Sequence, residues 1–356
     1  MHRIQSVDTD IIKTQLADKE FTTTYGQEPK IRHHVIVRIS TESGECGLGE
    51  ACPLPFTPDD DPNRIKHIID IEFAPILIGS NPFDLDFLHS RMENVPVLGN
   101  TARAGVDIAL HDLIGKILDL PLYRHLGGSY QKHVEIAEVL GIGTPSVIAK
   151  RAKESANRGA RAIKIKVGMD LDRDVDVLKR VRAEVGDSTR IRADANSGYS
   201  LKEAKKVLDE TEEIKLEYME QPLPADDLEG LRNLRESIST PIMVDESIHT
   251  VEDARVIIQH EAADFFGLKF IKHGGIHITK KIADLAAENH IECVLISPWE
   301  TQIGIAAAVH LALSASNFTH PHEISPRSLM NDPVHGLKEV QGRIRVPEGA
   351  GLGVSL

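Results

Sequence analysis

The sequence has three cysteines, one tryptophan, no long apolar run and no excess of basic residues, and each shortage excludes something. Cys46, Cys52 and Cys293 cannot all pair with one another and show no zinc-ligand spacing, which fits free thiols in a reducing compartment. No segment approaches the roughly 18 uncharged apolar residues of a membrane span, and the opening MHRIQSVDTD lacks the apolar core of a signal peptide. No membrane partner and a cytoplasmic location are therefore expected. With 41 basic against 54 acidic residues the formal charge is -13, which argues against nucleic acid bound through a basic face. That balance leaves room for a small substrate, whose site has its own local field. Low-complexity stretches are also absent.

What is present is material for a sizeable core. The 356 residues are 41% hydrophobic and 27% charged, with a mean hydropathy of -0.19, and exceed one ordinary domain. From about residue 130 onward, short β-branched runs alternate with helical patterns: HVEIAEVLG, RAIKIKVG, RIRADAN, IKLEYMEQP, PIMVDES, DFFGLKF, IECVLISP and NFTHPHE. Between them, residues such as Val175, Leu178, Val181 and Val185 recur on one helical face. Eight such strand–helix units imply an α/β fold of the (β/α)8 TIM-barrel type, with a doubly wound sheet as the competing topology. The first 127 residues read differently. Val35, Val37 and Ile39 alternate, the turn TESGEC and then GLGEA follow, and Val106, Leu110, Leu113 and Ile117 share a helical face. The expected organisation is an α+β capping domain over 1–127, a barrel over 128–324, and a segment 325–356 that returns to the capping domain.

Charged residues mark the ends of the barrel strands. Lys164 and Lys166 lie on the second, Asp194 and Asn196 on the third, Glu220 on the fourth, Asp245 and Glu246 on the fifth and Lys269 on the sixth. The steps from Lys166 through Asp194, Glu220 and Asp245 to Lys269 are 28, 26, 25 and 24 residues, one strand–helix unit each. All therefore stand near the C-terminal end of the barrel, where such a fold carries its chemistry. Alternation along a strand puts Lys164 and Lys166 on one side, and likewise Asp194 and Asn196. Three carboxylates on neighbouring strands at about 4.8 Å spacing need a positive partner. Asp194, Glu220 and Asp245, an all-oxygen set, suit a hard divalent cation such as Mg²⁺, whereas the bland alternative is a private lysine or helix N-terminus for each acid. Lys166 and Lys269 come from diametrically opposite strands. Beside a divalent cation and a second ammonium, Lys164, such a lysine moves toward neutrality and can act as a base on the proton α to a carboxylate. The plainer reading, lysines reaching solvent from an edge strand, fails because a closed barrel has no edge.

KIKVG, DANSGY, YMEQPLP, VDESI and LKFIKHGGI, in this order and spacing, together with ARAGVDIALHDLIGKILDLPLYRHLGG at 102–128, resemble the enolase superfamily in its muconate-lactonizing subgroup. The resemblance covers nearly the whole chain. It implies Mg²⁺ on Asp194, Glu220 and Asp245, with Asn196 and Glu246 behind them. It further implies Lys166 and Lys269 as acid/base residues, Lys164 as electrostatic partner, and a symmetric homo-oligomer. The histidine base that the mandelate racemase subgroup carries at the seventh strand is missing, since the chain reads ISPWETQIG there.

The same resemblance implies two loops closing over a small carboxylate substrate, one around Thr22, Tyr25 and Gly26 and one around Cys52 to Phe56. Each reads equally as a surface loop with turn residues. Lys272 is a further candidate substrate contact. Where dipeptide epimerases of the subgroup carry Asp-x-Asp to bind a substrate ammonium, this chain has His320, Pro321, His322 and Glu323, a departure that points away from ordinary Ala-Glu epimerisation. Glu323 and His322 are candidate contacts in its place, although a lone Glu323 also reads as a solvated acid or helix cap. Trp299 offers an indole face to a cation or packs under the cap. Glu300 contacts substrate or pairs with the lysine across the barrel, and the acids at 59–61 read as a solvated loop.

The activity expected is racemisation or epimerisation of an amino-acid derivative such as a dipeptide, N-acyl amino acid or proline betaine, by two-lysine proton transfer through an enediolate. The alternatives are the same proton abstraction followed by elimination, as in a hydroxyproline or sugar-acid dehydratase, a muconate-type cycloisomerisation, and a catalytically silent binding protein.

Overall fold

The computed structural model describes residues 2–57, 60–96 and 99–356. Its centre is a parallel sheet whose order follows the chain: Ala137–Leu140, Ala162–Lys166, Arg190–Asp194, Met219–Glu220, Ile242–Val244, Phe265–Leu268 and Glu292–Leu295. The eighth strand expected from NFTHPHE is reduced to two residues that close the ring. His322 bridges Ile136 of the first strand's side and Glu323 bridges Ile296 of the seventh. His322 N–H donates to Glu135 O and accepts from Ala137 N–H through its own carbonyl, both at 2.8 Å, while Glu323 exchanges bonds of 2.9 Å with Leu295 and Ser297. Ring closure explains why Ala162–Lys166 is buried at all five positions, lysines included.

The covering helices start where side chains cap them. Asp170, Ser200, Asp227, Thr250 and Thr301 accept from N–H groups of the first turns, and Ser200–Glu203 and Thr250–Asp253 form reciprocal capping boxes. Each cap fixes the loop that leaves a strand end, and so fixes the height of the strand-end side chains.

The capping unit is an antiparallel sheet of Ile4–Leu16, Ile31–Thr41 and Cys46–Ala51, with the late strand Leu329–Met330 paired to Gln15 and Leu16. The helix Asn100–Ile117 lies against Cys46–Ala51 so closely that a methyl at Gly47 or Gly49 would overlap the carbonyl oxygens of Ala109 and Gly105. In the loop read as solvated, Asp59 lies outside the described residues. Asp61 caps the helix Pro62–His67, and half-buried Asp60 accepts from Leu54 N–H at 2.7 Å.

Three buried carboxylates fasten this unit to the barrel and to the C-terminal segment. Asp107 accepts from Ile276 N–H at 2.5 Å and from His89 at 2.6 Å, and so caps the helix Ile276–Glu288 from outside. Asp112 takes the N–H groups of Leu48 and Leu352, each at 2.7 Å, joining hairpin to C-terminal segment. Glu50 accepts from His34 at 2.7 Å and from Thr301 Oγ1 and Gly304 N–H at 2.6 and 3.0 Å, at the start of Gln302–Leu313. The VD-IAL-HD part of residues 102–128 is thus a set of joints. Among the described residues no helix is long and apolar enough to cross a membrane.

Because the helix and hairpin meet backbone to backbone, Gly49→Ala should destabilise the protein by about 1–3 kcal/mol through overpacking. A lowered thermal midpoint is the expected result, and an unchanged one would show that the contact yields without cost.

Candidate active site

Pairing register sets the site. Lys166 stands opposite Asp194 in the ladder between the second and third strands, and Asp194 opposite Glu220 between the third and fourth. Asp245 follows the fifth strand and Lys269 the sixth. Their side chains converge at the C-terminal mouth. Lys166 Nζ donates to Asp194 Oδ2 at 2.6 Å and to Asn196 Oδ1 at 2.8 Å. Lys164 Nζ lies 2.9 Å from Glu220 Oε2 and 3.2 Å from the same Asp194 Oδ2, and also pairs with Glu323. Across the mouth, Lys269 and Lys272 each donate to one oxygen of Asp245. Asn196 donates to Glu246 Oε1 at 3.0 Å, and the Tyr25 hydroxyl reaches the same oxygen from the cap at 2.8 Å.

The charges are desolvated, and the partners decide which form survives. Burial works against the Lys164 ammonium, but Glu220, Glu323 and Asp194 overcome it and hold its pKa well above the ordinary value. Lys269 is likewise raised, by Asp245 and Glu246 against burial, whereas for Lys272 burial wins and the pKa falls. Asp194 and Asp245 are held below the usual carboxylate range, since their lysines outweigh burial. Glu220 is pushed well up, by burial and then by Asp194.

The donor set around these lysines fits a hard cation. It contains only carboxylate oxygens, and Glu220 Oε1 and Glu246 Oε2 are buried without a hydrogen-bond partner. As placed, lysine ammoniums stand between the acids. Among the described residues the group whose ligand atoms lie within 4.8 Å of one another is a different one, His34, Glu50 and Cys52. There both ring nitrogens of His34 are already bonded, to Glu50 and, at 2.7 Å, to Thr14.

A cavity of about 750 Å³ opens over the lysines and Asp245 and runs up under the cap. Tyr25, Phe56, Lys272, Trp299 and Glu323 line it, and Thr22, Glu300 and His322 do not. Thr22 turns its hydroxyl to Glu20 O at 3.1 Å, leaving Thr23 on the wall. Glu300, read as a substrate contact or a partner of the opposite lysine, is instead tucked beside Glu50, and burial with that neighbour pushes its carboxyl up to about 8. Trp299 packs edge-on against Phe21, with centroids 4.7 Å apart. Glu323 is neither solvated nor a cap: besides Lys164 it accepts from Tyr218 OH at 3.2 Å, and Arg192 lies 3.6 Å away.

Two residues escaped the sequence reading. Gln221 adopts a left-handed φ of 33°, and its Oε1 accepts from Asp245 N–H at 3.0 Å, fixing that acid. Arg32 reaches into the cavity from a cap strand and holds Glu28 at 2.9 Å and Pro298 O at 3.0 Å. The glutamine in MEQP and an arginine just ahead of the alternating Val35, Val37 and Ile39 were the signals available.

His322 serves ring closure. Its Nδ1 accepts from Leu295 N–H at 3.0 Å, and burial, aided by Arg192 and His320, lowers its pKa from 6.5 to about 3. Between those values the unfolded chain binds a proton that the folded chain refuses. The stability His322 contributes is therefore complete above pH 6.5 and is lost as pH falls toward 3, by up to about 1.4 kcal/mol per pH unit. Urea midpoints of wild type and His322→Gln between pH 7 and 4 should differ by that share of the slope. Parallel profiles would contradict it.

Known proteins are similar to this chain over nearly its whole length. Residues 14–127 match the family model "Mandelate racemase / muconate lactonizing enzyme, N-terminal domain", and residues 147–356 match "Enolase C-terminal domain-like". The chain is 35% identical over 323 residues to the hydrophobic dipeptide epimerase of Enterococcus faecalis, covering 90% of this chain and 91% of the relative. To the N-succinyl-L-Arg/Lys racemase of Bacillus cereus it is 31% identical over 337 residues, covering 94% and 91%. The crystal structure of a dipeptide epimerase from Enterococcus faecalis V583, complexed with Mg and the dipeptide L-Leu-L-Tyr, superposes with a TM-score of 0.95 at 34% identity, covering 99% of this chain and 100% of that one. With both parts of its fold and nearly its whole length so matched, the chain belongs to the muconate-lactonizing subgroup of the enolase superfamily and is an isomerase.

Proposed function

We propose that the protein inverts the carbon next to a carboxylate in an amino-acid derivative, a dipeptide or N-acyl amino acid, by moving one proton between two lysines. The observation that carries this is the opposition of Lys166 and Lys269 across a mouth whose floor is Asp194, Glu220 and Asp245. The relatives named as epimerase and racemase support the reaction class, and a cavity of about 750 Å³ accommodates more than a single amino acid.

The three acids would hold Mg²⁺, which when bound supplies positive charge facing the substrate carboxylate as negative charge develops on it. Lys164, fixed by Glu220 and Glu323, keeps its proton and hydrogen-bonds a carboxylate oxygen. Of the two facing lysines, one enters as the neutral amine and takes the α-proton, leaving the substrate as an enediolate. The other enters as ammonium and donates to the opposite face, so the proton count balances and the lysines exchange roles for the reverse turnover. When Asp245 is engaged elsewhere, Lys269 loses the carboxylate that most favours its ammonium, although Glu246 and Glu220 still act on it, and burial then weighs more toward the amine that a base requires. Trp299 and the Tyr25–Phe56 pair close the cavity from above, with Tyr25 and Phe56 centroids 6.4 Å apart.

In D₂O with Mg²⁺ and a panel of dipeptides and N-acyl amino acids, Lys166→Ala and Lys269→Ala should each lower racemisation by about 10²–10⁴-fold. Each variant should still exchange the α-proton of one enantiomer, the one facing the surviving lysine. Full-rate racemisation by either variant would overturn the two-base assignment, and loss of water from substrate would replace isomerisation by elimination. Chelation with EDTA should abolish exchange and added Mg²⁺ restore it. Undiminished exchange in the chelated enzyme would remove the metal from the account.

A further inference from the structure

Charge on the cavity wall is matched almost group for group. The four lysines of the mouth have the carboxylate partners described above. Arg32 is held by Glu28 at 2.9 Å, Arg151 by Asp18, and Arg327 by Glu339 at 2.6 Å. Arg103 also lines the cavity, and among the described residues it makes no ion pair. The acid whose charge it feels, Glu93, does not offset its burial, and its pKa is lowered. Acids of the wall that lack an ion pair do not complete it. Asp60 accepts from Leu54 N–H at 2.7 Å, and Glu246 accepts from Tyr25 at 2.8 Å and Asn196 at 3.0 Å.

Arg103 is also fixed in place. It donates to Asn100 Oδ1, and Asn100 Nδ2 in turn donates to Lys272 O at 2.6 Å. A side chain added at Gly274 would lie 3.5 Å from Arg103 Nε. The guanidinium therefore belongs to the side of the cavity that carries Lys269 and Lys272. It leaves donors free after the bond to Asn100. Gly99, which begins the same helix without a side-chain cap, adds the positive end of the helix dipole to that wall. An arginine with free donors and no acid is arranged for a planar anion, which it takes in two parallel bonds.

We infer that Arg103 recognises a second carboxylate on the substrate, remote from the one beside the reacting carbon, so that the preferred substrates are dianionic amino-acid derivatives. This deepens the racemase or epimerase reading and rests on it for the position of the first carboxylate. The second carboxylate can come from an acidic acyl group or from an acidic side chain.

The test is calorimetric binding to the Mg²⁺-loaded protein of N-acetylalanine, N-succinylalanine and N-acetylglutamate, with α-deuterium exchange followed in parallel. Wild type should bind one of the two dicarboxylates about ten- to a hundredfold tighter than N-acetylalanine, as expected for a charge-assisted pair. Which one it is identifies the source of the anion. Arg103→Gln should lose that advantage while binding N-acetylalanine as before, and Arg103→Lys should recover part of it. Equal losses for all three ligands, no preference for a dicarboxylate in wild type, or binding of none would overturn the inference. Arg103-dependent binding without exchange at Cα would instead sink the isomerisation reading and leave Arg103 as an anion-recognition residue.

Discussion

Lys164 is buried among Asp194, Glu220 and Glu323, and none of these charges could stay there without the others. With Lys166, Lys269 and Lys272 against Asp194 and Asp245, the mouth of the barrel is a lattice of ammoniums and carboxylates shielded from water. Coulomb attraction in such a place is strong, and so is the cost of an unpaired ion. The arrangement therefore demands exact register: Lys166 beside Asp194, Asp194 beside Glu220, each fixed by the parallel ladder beneath. Glu220 Oε1 and Glu246 Oε2 are buried there without a hydrogen-bond partner, as the proposed cation site requires. On the proposed reading a cation held by the acids would free the lysines that now neutralise them, and burial would favour the neutral amine of a lysine so freed.

Everything outside the mouth serves that register or covers it. Two residues, His322 and Glu323, complete the ring, and the second of them also holds Lys164. Closure of the barrel and placement of Lys164 are thus one event. The cap is joined through Asp107, Asp112 and Glu50, each a buried acid that accepts backbone N–H groups of another segment. From the cap so joined, the Tyr25 hydroxyl reaches Glu246 at 2.8 Å.

What could be read from the chain followed period and charge. Lysines and acids recurring every 24 to 28 residues at the ends of apolar runs announce a barrel mouth, since strand–helix units of constant length repeat the same height. What could not be read depended on contacts between distant segments. Glu300 and Glu323 look alike in sequence, yet one is buried beside Glu50 and the other points at Lys164. His322 resembled a ligand contact, and its ring is engaged by the backbone of the seventh strand. Arg103 lies in a helix whose apolar face was legible, but its missing acid partner is a property of the folded cavity alone.

The claim that the acids are a cation site and the lysines its displaceable occupants has a direct measurement. Crystals grown with Mn²⁺ and examined by anomalous diffraction should show one peak bounded by Asp194, Glu220 and Asp245, with Lys269 Nζ withdrawn from Asp245. A peak at His34, Glu50 and Cys52 instead, or no peak at the mouth while Lys269 stays on Asp245, would contradict the account.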